Sequence, residues 1–188
     1  MSHLIQFFKH PIRIASILPS SKSVAKTIAE SIDFTIAEHI VELGAGDGPI
    51  TKILLPYLKP DSKITVIEID KKLCNDLNKK FQNEIKIGKL EIITGNALEL
   101  RKYITTADYV INELPTTLLT KQKREQFFTD IKAVTKYACI QLNHSPNAGK
   151  QLREHFSDVK AKLVILNFPP AYVYIVRSNA TYNSGART

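Results

Sequence analysis

Val41-Glu42-Leu43-Gly44-Ala45-Gly46-Asp47-Gly48-Pro49-Ile50-Thr51, followed by Val66-Ile67-Glu68-Ile69-Asp70, decides how this chain folds. An apolar run from His39 to Leu43 leads into glycines at alternate positions 44, 46 and 48. Pro49 then opens a helical pattern, and its fixed φ suits a first helical turn. Twenty residues beyond Gly48, Glu68 closes a second apolar run that starts at Ile64. The reading is strand, glycine turn, helix, and second strand ending in a carboxylate. Such a βαβ unit takes a nucleoside at the carboxyl ends of its strands.

Glycines without a Cβ let the backbone turn sharply and approach a ligand closely. Their spacing here is G-x-G-x-G, whereas a dinucleotide site uses G-x-G-x-x-G with a pyrophosphate on the helix N-terminus. Glu42, just ahead of the glycines, also fits a diphosphate poorly. The plainer alternative is a glycine turn that only shapes a strand-to-helix corner. Glu68, Asn96 and the Asn112–Pro115 segment, all at predicted strand ends, weigh against it.

Working outward, strand and helix patterns alternate nearly to the end. This predicts an α/β sandwich around a mostly parallel sheet. Helices are expected over Ser21–Ile32, Pro49–Tyr57, Lys71–Gln82, Lys121–Thr135 and Asn147–Phe156. Leu73, Leu77 and Phe81 recur every four residues and predict one buried stripe. Strands are expected over His39–Leu43, Lys63–Ile69, Leu90–Thr94, Tyr109–Ile111, Tyr137–Asn143, Ala161–Leu166 and Ala171–Arg177. Only Asn167-Phe168-Pro169-Pro170 joins the last two, too short for a parallel crossover, so the seven-stranded sheet should end in an antiparallel hairpin. No linker or repeat is visible, so residues 1–188 are expected to form a single domain, with 179–188 as a flexible polar tail.

The composition is that of an ordinary globular protein, with 44% hydrophobic and 23% charged residues. No stretch is long and apolar enough for a membrane span. Cys74 and Cys139 lack metal-ligand spacing, so no metal is expected and both are read as packed thiols in a reducing cytoplasm. The formal charge of +8 favours a polyanionic partner, either RNA or an anionic membrane surface; a basic protein without such a partner is the alternative. Residues 1–29 hold no Asp or Glu but carry Lys9, Arg13, Lys22 and Lys26 among Phe7, Phe8, Ile12 and Ile14. Residues 1–20 therefore read as a basic amphipathic segment suited to an interface. Lys9, Pro11 and Arg13 break its apolar run, which argues against a secretory signal, and its continuity with the first helix argues against a transit peptide.

Glu42-x-Gly44-x-Gly46-x-Gly48 resembles the first motif of class I S-adenosylmethionine-dependent methyltransferases. The resemblance implies a Rossmann-like fold and a cofactor site made by Glu42, Gly44, Ala45, Gly46 and Gly48. It places the ribose hydroxyls on Glu68, the adenine against Ile69, and the adenine amino group at Asn96 beside Ala97. Asn112-Glu113-Leu114-Pro115 is similar to the fourth motif, beside the reactive methyl, so Asn112 is expected to contact the cofactor too.

Several further segments resemble the bacterial phospholipid N-methyltransferase family. They are Pro19-Ser20-Ser21-Lys22, Gln141-Leu142-Asn143-His144-Ser145-Pro146, and Asn167-Phe168-Pro169-Pro170-Ala171-Tyr172-Val173-Tyr174. That family methylates phosphatidylethanolamine toward phosphatidylcholine. Asp47, Asn112 and His144 depart from its usual residues. The resemblance implies a phospholipid substrate and a cytoplasmic enzyme held peripherally on the inner membrane face. Phe7, Phe8, Lys9, Arg13, Ser20, Ser21, Tyr172 and Tyr174 would serve lipid or membrane contact. A methyl-accepting amine must be neutral, and His144 or Glu113 is the candidate base. Asn112 and the Leu114 carbonyl are expected to accept hydrogen bonds from that amine, while Tyr172 and Tyr174 would favour the cationic product through their ring faces.

The second reading is an RNA adenine N6-methyltransferase of the ribosomal dimethylase type, which the charge also suits. Its fourth motif is Asn-x-Pro-aromatic, whereas two residues separate Asn112 from Pro115 and Thr116 follows. That type also carries a C-terminal helical RNA-binding domain, which is not expected here. A third reading is a non-catalytic S-adenosylmethionine-binding module; the Asn112–Pro115 segment argues for catalysis instead.

Overall fold

A computed structural model describes residues 20–166 and 169–177. After the opening helix α1 (Ser20–Ala29), strands β1 (His39–Leu43), β2 (Lys63–Glu68), β3 (Leu90–Thr94), β4 (Ala107–Asn112) and β5 (Thr135–Asn143) follow in turn. The intervening helices are α2 (Pro49–Leu54), α3 (Lys71–Lys80), α4 (Gln82–Lys86) and α5 (Lys121–Val134). Helix α6 (Asn147–His155) leads to β6 (Val159–Val164) and β7 (Ala171–Arg177).

The sheet order is β3-β2-β1-β4-β5-β7-β6, with β1 to β5 parallel and β7 antiparallel to both its neighbours. The expected seven strands and terminal hairpin are therefore present. Strand order reverses between β1 and β4, where Leu43 pairs with Asn112. At such a switch point the chain leaves the two strands in opposite directions and opens a crevice above their carboxyl ends.

Side chains alternate across the sheet. Ile40, Ile64, Val66, Ile111, Ile140 and Val173 face α1, α2 and α3, meeting Ile28, Leu54 and Leu77. Val41, Leu43, Ile67, Val110 and Val176 face α5 and α6, meeting Phe127, Phe128, Ile131 and Leu152. Both faces being covered explains why the central strands read as continuous apolar runs. On α3, Leu77 and Phe81 are buried as the stripe predicts; Cys74 is buried too, while Leu73 is only partly covered.

Several bounds differ from expectation. The third helix ends at Lys80: Phe81 takes φ −115°, ψ 28°, and a short helix, α4, restarts at Gln82. A 3-10 turn over Leu55–Tyr57 finishes the second helix, and another spans Ala97–Lys102 where none was expected. Strand β6 lies two residues earlier than the predicted Ala161–Leu166. Its pairing ends at Val164 opposite Ala171, because the next residue across is Pro170, which has no N–H to give the ladder. Ile165 and Leu166 consequently sit in the turn.

Candidate cofactor and acceptor site

Gly44, Gly46 and Gly48 all have positive φ, at 81°, 58° and 76°, but they serve different ends. A Cβ on Gly48 would stand 2.7 Å from Leu77 and 2.8 Å from Phe81, so this glycine lets α3 pack close. A Cβ on Gly46 would meet nothing within 4 Å. The space above Gly46 is open, and its backbone is free to approach a ligand. Between them Ala45 points its methyl into the core and offers only its backbone.

Glu68 fixes the loop from the next strand. The Gly46 N–H donates to its Oε2 at 3.1 Å, and the Asp70 N–H donates to its Oε1 at 2.9 Å. Each carboxylate oxygen keeps a second lone pair, the arrangement that accepts from a pair of vicinal hydroxyls. Ile69, next along, is 41% exposed and offers an apolar face there. Asp70 caps α3, accepting from the N–H groups of Lys72 and Leu73. On the neighbouring strand, Asn96 accepts from the Leu98 N–H at 3.1 Å, which fixes its amide at the end of β3, while Ala97 is buried beside it.

Beneath the loop lies a pair of acids. The Thr51 hydroxyl donates to Glu42 Oε2 at 2.6 Å, and Glu42 is fully buried. Glu113 is partly exposed as a residue, yet its Oε1, like that of Glu42, is enclosed and meets no donor group of the chain. Burial pushes the Glu42 carboxyl up; its hydrogen bonds with Thr51 and Glu113 oppose this. Burial and then the adjacent Glu42 push Glu113 well above the usual carboxylate range, with Glu68 and Asp47 adding to the effect. Two carboxyls in contact cannot both ionise cheaply, so the pair favours a shared proton, and the shift is greater on Glu113. A cationic ligand over the loop would displace that proton.

The end of β4 is organised by a residue that the sequence reading passed over as a site residue. Gln141 on β5, opposite Asn112 in the parallel ladder, is fully buried. Its Nε2 donates to the carbonyls of Asn112 and Leu114, both at 3.1 Å, and also to that of Leu142 at 2.7 Å. Its Oε1 accepts from Asn112 Nδ2 at 2.5 Å, and Asn112 Oδ1 accepts from the Leu114 N–H at 3.1 Å. Asn112 and the Leu114 carbonyl, expected to face the acceptor, are both engaged by Gln141. Asn112 is 0% exposed, and its amide bonds inward because buried polar groups need partners. Leu114 is buried and backs Gly44, where a Cβ would meet its Cδ2 at 2.9 Å, while Pro115 is partly exposed behind it.

His144, just past β5, is exposed, and its Nδ1 lies 3.3 Å from the Pro170 carbonyl. Tyr172 and Tyr174 stack, with ring centroids 6.0 Å apart. Only Tyr172 keeps access to the edge. Tyr174 is 3% exposed under α6, where its hydroxyl donates to the Pro146 carbonyl, so it serves packing rather than lining an open site. Ser20 and Ser21 start α1. Phe7, Phe8, Lys9 and Arg13 lie outside the described residues.

Cys74 and Cys139 are both buried free thiols, the latter pushed up to about 12 by burial. Among the described residues no cluster of His, Cys, Asp or Glu is arranged to hold a metal, and no helix is long and apolar enough to cross a membrane. A surface cleft of about 540 Å³ beside Lys52, Pro56 and Ile87 contains none of the candidate residues.

Gln141 and Thr51 carried weak sequence signals. Thr51 falls in the helical turn after the glycines, nine residues from the carboxylate that it serves, and Gln141 interrupts an apolar strand. A polar residue inside such a run must find a buried partner.

Known proteins share the family and the fold of this chain. The model of the ribosomal RNA adenine dimethylase family matches residues 16–143. The ornithine lipid N-methyltransferase of Singulisphaera acidiphila is 31% identical over 92% of this chain and 92% of its own length. A ribosomal RNA small subunit methyltransferase A from Fusobacterium nucleatum is 32% identical, over 57% of this chain and 40% of its own length. The chain thus spans less than half of that RNA-modifying relative. In three dimensions, magnesium protoporphyrin IX methyltransferase from Synechocystis PCC 6803, solved with bound S-adenosylmethionine, superposes with a TM-score of 0.68. At 10% identity over 85% of this chain and 80% of that one, it shows a shared fold.

Proposed function

The chain belongs to the methyltransferase family described by the ribosomal RNA adenine dimethylase model, and from that premise we propose that it is an S-adenosylmethionine-dependent N-methyltransferase acting on an aminolipid headgroup. Phosphatidylethanolamine, converted toward phosphatidylcholine at the membrane surface, is the specific substrate. The observation that carries the lipid reading is the near end-to-end match with a lipid N-methyltransferase, against partial matches with RNA enzymes.

The residues fit the cofactor: an open backbone at Gly46, a doubly anchored carboxylate at Glu68, an apolar face at Ile69, and enclosed acid oxygens on Glu42 and Glu113. When bound, S-adenosylmethionine supplies an electrophilic methyl on a sulfonium. Glu68 would take the ribose hydroxyls and Asn96 the adenine amino group. Glu42 and Glu113 would lie under the cationic half. Gln141 holds the Asn112–Pro115 loop in one shape, and positioning is most of what such a transfer needs.

The accepting amine must be neutral. Burial and the adjacent Glu42 raise the Glu113 carboxyl, which disfavours the ionised form a base needs. His144, exposed at the same edge, is the better-placed acceptor for the amine proton. Residues 1–18 would dock on the membrane, Lys9 and Arg13 each contributing about 1 kcal/mol near anionic headgroups.

The +8 charge and the family model favour RNA as the second reading. Methyl transfer from labelled cofactor, offered phosphatidylethanolamine vesicles, ornithine lipid vesicles and unmodified ribosomal RNA in parallel, separates the readings. Label in phosphatidylethanolamine is expected. Label in ornithine lipid alone would move the substrate, and label in RNA alone would overturn the lipid reading.

A further inference from the structure

The β6–β7 turn carries the most exposed large apolar side chains among the described residues. Leu166 is 80% and Ile165 73% exposed, and Leu163 on the adjoining strand is 52% exposed. Their position gives them meaning. Strand β6 runs parallel to β1–β5, because both it and β5 are antiparallel to β7. The turn therefore lies at the carboxyl edge of the sheet, the edge that holds the glycine loop. The contact between His144 and the Pro170 carbonyl ties it to the end of β5. Three strand spacings, about 15 Å, separate it from the end of β4, where Leu118 is half exposed.

Charge accompanies the apolar tip. Lys160 and Lys162 are exposed on the edge strand just behind it, and Lys162 Nζ donates to the Ser31 hydroxyl. Lysines on an edge strand also discourage pairing with another chain. That role does not account for two large aliphatics projecting beyond the last paired residue. Aliphatic side chains at a tip with cations set back from it match a bilayer surface, where apolar groups enter the acyl boundary and lysines stay with anionic headgroups.

We infer that the end of β6 is a membrane-contacting element, with Ile165 and Leu166 entering an anionic bilayer beside the mouth of the acceptor site. This deepens the lipid reading proposed above and rests on it for its purpose. It adds a second contact, far along the chain from residues 1–18, and so fixes which edge of the sheet faces the lipid.

The chain contains no tryptophan, so Leu166→Trp supplies a single clean reporter. Full-length Leu166→Trp is mixed with vesicles of phosphatidylethanolamine and phosphatidylglycerol at three to one. A blue shift in emission and quenching by brominated acyl chains are expected; an emission maximum that stays at its aqueous position overturns the inference. The paired variant Ile165→Asp with Leu166→Asp should sediment with the same vesicles at least about tenfold less, as expected when buried aliphatic area is lost. Its thermal midpoint and cofactor affinity should be unchanged. Undiminished sedimentation overturns the inference. So does a variant that becomes monomeric from a dimeric wild type with vesicle binding intact, which would give the patch to a second copy.

The two proposals fail separately. Methylation of lipid while the indole reporter of Leu166→Trp remains in water sinks the turn alone. Insertion of that reporter with label found only in RNA sinks the lipid substrate alone.

Discussion

On the β1–β2 side of the switch point the site is made of local geometry. Three glycines, a carboxylate twenty residues on, and two backbone N–H groups build it from two short stretches of chain. On the β4–β5 side it is made of distant pairings. Gln141 braces Asn112 across 29 positions, and Glu113 lies against Glu42, which comes from β1. The first half holds a ligand that never varies and can be encoded by spacing. The second must give shape and charge to a changeable acceptor, and does so through buried polar contacts between strands.

The strongest way to break this contrast is on the local side. Glu68→Ala removes the carboxylate that anchors Gly46 and that we propose receives the ribose. Charge-assisted hydrogen bonds contribute about 1.5–3 kcal/mol each, so cofactor affinity should fall at least about a hundredfold by titration calorimetry. An unchanged dissociation constant would refute the placement of the ribose.

Next is the distant side. Gln141→Leu keeps the volume but leaves Asn112 Nδ2 and the Leu114 carbonyl without a partner. A loss of about 2–4 kcal/mol in unfolding free energy is expected by denaturant titration. Turnover should fall more than cofactor affinity does if, as proposed, the loop it braces serves the acceptor. Equal loss of both would merge the two halves.

A smaller effect tests the acid pair. Glu42 and Glu113 have raised values in the folded chain, so that form binds more protons than the unfolded one above the ordinary carboxylate range. The pair's own contribution to the stability of the cofactor-free protein is full below the ordinary carboxylate range and is lost as pH rises through the folded-state values. Thermal midpoints against pH should show this decline, and Glu113→Gln should flatten it. Cofactor binding should release a proton, so affinity strengthens as pH rises over the same window. Calorimetry in buffers of different ionisation enthalpy measures that proton directly.

The mostly parallel seven-stranded sheet and its terminal hairpin were legible because they depend on periodicity and on residues close in sequence. The Pro170 limit on β6 was legible in principle too, since a proline facing a ladder position forbids pairing. The inward bonding of Asn112 was not legible, for a physical reason. Its type and position match a motif that meets a substrate, yet whether an amide points out or in depends on what faces it across the ladder. That residue, Gln141, belongs to another strand. The acid pair was similarly hidden, because nothing near Glu113 in sequence puts Glu42 against it.

The placement of β7 between β5 and β6 has a consequence for how the molecule is made. Strands β1 to β5 can pair in order as they emerge from the ribosome, but one side of β5 waits for residues 171–177. Until then Cys139, Ile140 and Gln141 line an open strand edge, the kind that recruits other chains. The strand that carries the brace for the acceptor loop is therefore the last of the central ones to be closed. Translation that stalls before Ala171 should yield an aggregation-prone nascent chain, and the methyl-transfer half of the site should be the last part of the enzyme to acquire its shape.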